Sequence, residues 1–278
     1  IPLHTIEYLV KRYQIKMPKG IKIRDEKDVR AIAGKIGGTM AYQKYGNPGT
    51  YEGRKKGGFE SLKTHKAKHT GFVLKKVFIP IQPSEKLAEF IGVMLGDGGM
   101  TKYQARISLN KKDDALYAEY LQDVIIDLFH YKPTVRDKKN VRELVISGID
   151  FVEKLKGFGL VVGNKVKQSI GVPNWIQNNS QYCKMCIRGL FDTDGSVFLD
   201  VHTIKGKRYS SSNAAITTYS SKLFGDTYRI LREMDFNPTI STKHRVTLRQ
   251  REQVARFFRI IRPSNVKHLE RYQKQQEV

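Results

Sequence analysis

Asp97 and Asp194 are the side chains on which chemistry can be built. Each closes an apolar stretch and stands directly before a glycine: Phe90-Ile91-Gly92-Val93-Met94-Leu95-Gly96-Asp97-Gly98 in one place, Ile187-Arg188-Gly189-Leu190-Phe191-Asp192-Thr193-Asp194-Gly195 in the other. In register, Gly92 falls on Gly189, Gly96 on Thr193, Asp97 on Asp194 and Gly98 on Gly195. A carboxylate in the last turn of a helix faces the negative end of the helix dipole, and two carboxylates brought together repel and resist ionising. A divalent cation removes both penalties. Mg²⁺ is held by one or two carboxylates, with water and phosphate oxygens completing its shell. Such a pair suits phosphodiester hydrolysis, where metal ions on shared carboxylates activate water, stabilise the transition state and relieve the leaving oxygen.

For the two acids to meet, the stretches must be helices packed side by side in the same direction. Residues four apart share a helix face, so Gly92 with Gly96, and Gly189 with Thr193, form small faces that let two helix backbones come close. Each helix is expected to stop at its glycine, the residue that tolerates a left-handed cap. Ser84, after Pro83, is the expected N-cap of the first helix. Asp192 lies on another side of its helix from Asp194 and faces Leu95 in the register, so it is expected to be peripheral.

The chain has 278 residues, a net charge of +23 and a hydrophobic content of 40%, with a sequence pI of about 9.9. This is a globular composition carrying the charge of a polyanion binder. No apolar run approaches the ~20 residues that span a membrane, and nothing at the N-terminus reads as a signal peptide, so an intracellular protein with no membrane partner is expected. The two cysteines, in Cys183-Lys184-Met185-Cys186, lack the second pair that a zinc site wants and read as buried small residues in a reducing compartment.

Residues 1–80 read as a basic N-terminal extension, helical in part. Helices are predicted over 5–10 and 25–36, the second closed by Gly37-Gly38, while Pro18 and Gly20 between them argue against a helix-turn-helix. Then come Gly46-Asn47-Pro48-Gly49, Gly53-Arg54-Lys55-Lys56-Gly57-Gly58, and Lys63, Lys66 and Lys68 with His65 and His69. This segment reads either as a solvated loop or as one whose cations, Arg54, Lys55 and Lys56 among them, contact DNA.

Two repeats follow, over 81–176 and 177–278. In the first, Lys102, Gln104, Arg106 and Ser108 alternate with Tyr103, Ala105, Ile107 and Leu109, a strand with one polar face. A helix over 113–129, a hairpin of 133–136 with 141–145 and a helix carrying Phe151, Val152, Leu155 and Phe158 complete it. In the second, strands over 195–201 and 208–218 flank Lys205-Gly206-Lys207. A helix over 221–234, a hairpin of 238–241 with 245–249 and a closing helix over 253–261 follow. Pro133-Thr134 and Pro238-Thr239 hold matching places. The fold class is α+β: two pseudo-symmetric αββαββα repeats joined through paired motif helices, their curved antiparallel sheets forming a saddle.

The doubled motif resembles the LAGLIDADG homing endonucleases in their single-chain, two-repeat form, over roughly residues 84–272. The resemblance implies a monomeric, intron-encoded, site-specific nuclease that makes double-strand breaks in a long pseudo-symmetric DNA target. It implies Mg²⁺ as cofactor, with Mn²⁺ able to substitute and Ca²⁺ binding without efficient cleavage. Asp97 and Asp194 become metal ligands, with Gly96 and Thr193 beside them. The family's lysine from each repeat matches Lys165, in Asn164-Lys165, and Lys267, in Asn265-Val266-Lys267, although either also reads as a solvated loop lysine. Asn110 and Tyr219 follow the central strands where the family often has glutamine; Tyr219 departs from that pattern. A β-ribbon can read base edges in the major groove, which makes Lys102, Gln104, Arg106 and Arg136, and in the second repeat His202, Arg208, Lys243 and Arg245, candidate DNA contacts. The alternative on the same scaffold is a catalytically silent RNA-splicing maturase, with intron RNA as partner, or a DNA-binding regulator. A general basic chromatin-like protein would have no use for the paired acids.

Overall fold

A computed structural model describes residues 3–16, 26–47, 49–68 and 76–276. The chain divides into two compact units, Ile1–Leu74 and Lys75–Val278. Pro18, Gly20, Pro48 and His69 lie outside the described residues.

The first unit holds three helices, α1 (Leu3–Tyr13), α2 (Glu26–Tyr45) and α3 (Tyr51–Ala67). Two of its details differ from the sequence expectation. Gly37-Gly38 does not close α2, which continues to Tyr45 and stops at Gly46, where φ is +71°. An interior glycine costs a helix about 1 kcal/mol, but only one in the left-handed region turns the chain out of it. The segment 53–58 is helical and not a loop. The Thr50 hydroxyl accepts the Gly53 N–H at 3.1 Å at the start of α3, and Glu60 pairs with Lys63 at 2.8 Å on its surface.

The second unit runs α4 (Glu85–Leu95), β1 (Gly98–Met100), β2 (Gln104–Asn110), α5 (Ala115–Phe129), β3 (Thr134–Lys138), β4 (Val141–Ser147) and α6 (Ile149–Gly157). After α7 (Asn174–Gln177), the same order returns as α8 (Ser180–Asp194), β5 (Gly195–Ile204), β6 (Lys207–Thr217), α9 (Ser221–Glu233), β7 (Thr239–Thr242), β8 (Arg245–Leu248) and α10 (Arg251–Ile261). One further helix, α11 (Val266–Gln276), lies beyond the helix expected to close the fold. Both sheets are four-stranded and antiparallel, ordered β1-β2-β4-β3 and β5-β6-β8-β7. The duplication in the sequence is therefore a duplication of topology.

The core forms because strand alternation puts Ala105, Ile107 and Leu109 of β2, Leu144 and Ile146 of β4, and Ala214 and Ile216 of β6 on the buried side of each sheet, against the helices. The α4 helix is buried from Leu87 to Leu95, an all-round burial that its apolar sequence permits. It starts where Ser84 was expected to cap it: Ser84 Oγ accepts the Leu87 N–H at 3.1 Å. Phe78 joins the same core, its ring 4.8 Å from that of Phe151. No helix among the described residues is long and apolar enough to cross a membrane.

Candidate active site

The site begins with two glycines. A Cβ on Gly92 would lie 2.1 Å from the Cys186 carbonyl oxygen, and one on Gly189 would lie 2.2 Å from that of Glu89. The contacts are reciprocal, each glycine meeting the backbone three residues before the other, as a pseudo-twofold axis between α4 and α8 requires. One turn on, a Cβ on Gly96 would lie 2.0 Å from Thr193 Oγ1 and 3.3 Å from Asp194 Oδ2. The helices run in the same direction, and Asp97 and Asp194 emerge together at their C-terminal ends.

The glycines after the acids serve packing and not a left-handed cap. Gly195 has φ −79° and Gly98 lies in β1. A Cβ on Gly98 would meet Met94 Cα at 2.4 Å, and one on Gly195 would meet the Phe191 carbonyl oxygen at 2.1 Å. The first strand of each sheet thus leaves its motif helix too closely for any side chain.

Both acids are half-buried. Burial raises the Asp194 carboxyl to about 7, and the charge of Asp97 adds to the rise, while Lys165 and Lys267 oppose it. Burial also raises Asp97, against the pull of Lys267 and Lys165. Lys165 Nζ donates to the carbonyls of Met94, Leu95 and Gly96 at 3.0, 2.9 and 2.5 Å, answering the orphan oxygens and negative dipole of the α4 C-terminus. Burial lowers the Lys165 ammonium from its ordinary range, with Asp194 and Asp97 acting in the opposite direction. Lys267 Nζ pairs with Asp114 Oδ1 at 2.7 Å.

Three further acids, none read from sequence as site residues, organise this centre. Asp114 stands at the start of α5, nearly buried, and its carboxylate accepts the Asn110 N–H at 3.0 Å and Asn265 Nδ2 at 2.8 Å as well as pairing Lys267. Asp192 is fully buried, and its two oxygens accept the N–H groups of Ser264 and Asn265 at 3.0 Å each. Burial pushes its carboxyl up to about 7 although those backbone donors pull it down. It sits apart from the acid pair, as its helix side implies, yet it ties down the loop that presents Lys267. Glu89 of α4 meets Arg188 of α8 at 3.3 Å across the interface and accepts the Tyr120 hydroxyl at 2.8 Å. An acid in an apolar helix is itself a signal, because a buried carboxylate demands partners.

The remaining candidates divide. Gly96 and Thr193 touch each other at the acid pair, but the Gly96 carbonyl receives Lys165, and Thr193 Oγ1 donates to the Gly189 and Leu190 carbonyls at 3.1 Å. Asn110 Oδ1 caps the following turn through the N–H groups of Lys112 and Asp113. Tyr219 is exposed with its ring 4.7 Å from that of His244. Gln104, Arg106 and Arg136 lie on the sheet face opposite the core; Lys102 lies in the bend before β2 and Lys243 in the turn between β7 and β8. Arg245 Nε donates to Thr217 Oγ1 at 3.3 Å, with its guanidinium 5.9 Å from the Phe198 ring centroid. His202 and Arg208 fall on opposite faces of the β5–β6 hairpin, since Thr203 is the partner of Arg208. Arg54, Lys55 and Lys56 lie on α3 of the first unit. Cys183 and Cys186 are buried and free, and burial raises both thiols.

Residues 181–262, from α8 through α10, match the family model for the LAGLIDADG-like domain. That segment is a LAGLIDADG-like domain. The match covers the second repeat; the first carries the same motif, strand order and helix-end acid. Solved structures to which the chain is similar include the following three. I-SmaMI bound to uncleaved DNA target in the presence of calcium ions is 10% identical, over 67% of this chain and 87% of that one, with a TM-score of 0.46. A structure of mesophilic variants from the homing endonuclease I-DmoI is 15% identical over 64% and 94%, with a TM-score of 0.44. The LAGLIDADG meganuclease I-AabMI bound to uncleaved DNA is 13% identical over 66% and 86%, with a TM-score of 0.45. No curated protein matches the chain in sequence.

Proposed function

We propose that this protein is a two-repeat LAGLIDADG protein acting as a site-specific homing endonuclease. It binds a long, pseudo-symmetric duplex target as a monomer through the polar faces of its two sheets and hydrolyses one phosphodiester on each strand. The repeats span 81–176 and 177–278, and the basic extension over 1–80 adds backbone contacts through Arg54, Lys55 and Lys56 of α3. The observation that carries the reading is the pair Asp97 and Asp194, one from each repeat, gathered with Lys165 and Lys267 at the joint end of α4 and α8.

The donor set fits a hard divalent cation. Among the described residues no three His, Cys, Asp or Glu side chains gather to hold a metal, which argues against a closed protein cage. Two carboxylates with water and phosphate oxygens are a set that Mg²⁺ accepts. Asp97 and Asp194 would hold it, with Gly96 and Thr193 flanking. Bound there, the cation supplies Lewis-acid activation of water and of the leaving oxygen. The unfavourable burial of two neighbouring acids, felt in the raised Asp194 carboxyl, is the feature a cation relieves. Lys165 and Lys267 bring positive charge to the developing phosphorane. Asn110, its oxygen engaged in the turn, has its amide nitrogen left to orient water. Mn²⁺ should substitute for Mg²⁺, and Ca²⁺ should support binding without efficient cleavage.

Selection from randomised duplex DNA in Mg²⁺ and in Ca²⁺, with wild type, Asp97→Asn and Asp194→Asn, tests the reading. Double-strand breaks at one long motif, lost in either variant while binding persists, are the expected result. Specific binding with no cleavage in any metal would replace the nuclease with a splicing or regulatory protein.

A further inference from the structure

The polar face of the first sheet carries an acid at its centre. Strand register places Glu143 between Ser108 of β2 and Arg136 of β3. Residues two apart along a strand share a face, so Arg106, Arg136 and Lys138 surround it. Lys138 Nζ lies 3.0 Å from its carboxylate and Arg106 Nη1 3.9 Å. The hydrogen bond from Lys138 holds the Glu143 carboxyl below its ordinary range, and the charges of Arg106 and Arg136 add to it. The side chain of Glu143 is only 10% exposed, whereas that of Arg106 is 47% exposed and that of Lys138 is 64% exposed. The acid lies under a layer of cations that face outward.

The second sheet carries the opposite charge at this place. Gly98 pairs with Ile107, which pairs with Leu144; Gly195 pairs with Ile216, which pairs with Val246. Since Gly98 and Gly195 are equivalent, so are Leu144 and Val246, and Glu143 is the counterpart of Arg245. A chain of net charge +23 that binds a polyanion gains no affinity from a carboxylate on its binding face, so the acid calls for another account. At 3.9 Å the Arg106 contact is ionic and longer than a hydrogen bond, which leaves the guanidinium donors for a partner in front of the sheet.

We propose that Glu143 is a specificity-setting positioning residue of the DNA interface, holding Arg106 toward a base edge and away from the phosphates. The base class is guanine, whose N7 and O6 accept the two donors of one guanidinium. The proposal rests on the reading of the sheets as a DNA-binding surface. It predicts that affinity and specificity move in opposite directions. Without the carboxylate, Arg106 and Lys138 are free to settle on phosphates, contacts that strengthen binding to any sequence and steepen its salt dependence by about 0.9 in log–log slope per phosphate.

The test compares wild type, Glu143→Gln and Arg106→Gln in binding selections from randomised duplexes in Ca²⁺, with salt titrations on target and non-target DNA. Glu143→Gln should bind non-target duplex several-fold tighter, with a steeper slope, and should lose about fivefold or more preference for guanine at one position of the half-site under the first repeat. Arg106→Gln should lose the same preference with no gain in non-target affinity, and it decides the matter if Glu143→Gln does not fold. Uniform weakening by Glu143→Gln, or an unchanged base profile in either variant, overturns the proposal. A wild-type protein that selects no sequence at all overturns the DNA-target reading itself.

Discussion

Gly92→Ala tests the contact on which the acid pair depends. The new methyl would lie 2.1 Å from the Cys186 carbonyl oxygen, where ordinary contact begins at 3.4 Å, so α4 and α8 must part by about 1.3 Å. Overpacking of a dense core costs about 1–3 kcal/mol, and this clash belongs at the upper end because backbone lies on both sides. Replacing a helical glycine by alanine returns about 1 kcal/mol, leaving a net loss of about 2 kcal/mol. Gly225, inside α9 of the same unit, has nothing within 4 Å of its would-be Cβ. Gly225→Ala should therefore keep the gain without the clash. The two variants should differ by about 3 kcal/mol, which at a urea m-value of about 1–3 kcal/mol/M separates their midpoints by about 1 M or more. Parting the helices also moves Asp97 from Asp194, and cleavage should fall about 100-fold, the effect of a displacement of about 1 Å at a reacting centre. A Gly92→Ala protein as stable as Gly225→Ala would refute the role given to close backbone approach.

Lys165→Met and Lys267→Met should each lower single-turnover cleavage by about 10²–10³ while Ca²⁺-supported binding holds, the scale of removing one preorganised electrostatic stabiliser of the transition state; Lys165, whose three donors are held by the Met94, Leu95 and Gly96 carbonyls, acts there through its charge, and unchanged rates would remove the lysines from the site. Asp114→Asn leaves Lys267 without its acid in a partly buried place and should cost about 3 kcal/mol in urea unfolding, much of it recovered in the double variant with Lys267→Met. His268 is buried against the Phe191 ring, its centroid 4.8 Å away, and burial lowers its imidazole to about 4. Its folded value lies below its ordinary value of about 6.5, so the neutral form is the one the fold accommodates. Its contribution is complete above about pH 6.5 and is lost as pH falls toward 4, a decline of about 3 kcal/mol. Glutamine cannot titrate, so the wild-type advantage over His268→Gln should shrink by that amount between pH 7 and pH 4; parallel stability curves would show that His268 charges freely in the fold.

The repeat, the succession of its helices and strands and the pairing of the motif helices were legible in the residues, because glycine spacing, strand alternation and turn chemistry are local and occur twice; the order of strands within each sheet came from the structure. The meeting of Asp97 and Asp194 followed from that pairing, as did the N-cap at Ser84. Tertiary structure alone decided what the glycines do. Gly98 and Gly195 yield space to the preceding helix and have no left-handed backbone to accommodate, a distinction invisible in one dimension. It also decided that 53–58 is helical, since glycine weakens a helix without forbidding it. The partners of the lysines were beyond sequence for the same reason: Lys165 meets α4 carbonyls 69–71 residues away, and Lys267 meets an acid, Asp114, in the other repeat. Asp114, Asp192 and Glu143 are ordinary acids in the sequence. Only burial, which makes an unpaired charge expensive, and folding, which brings distant partners to it, distinguish them from acids that face water.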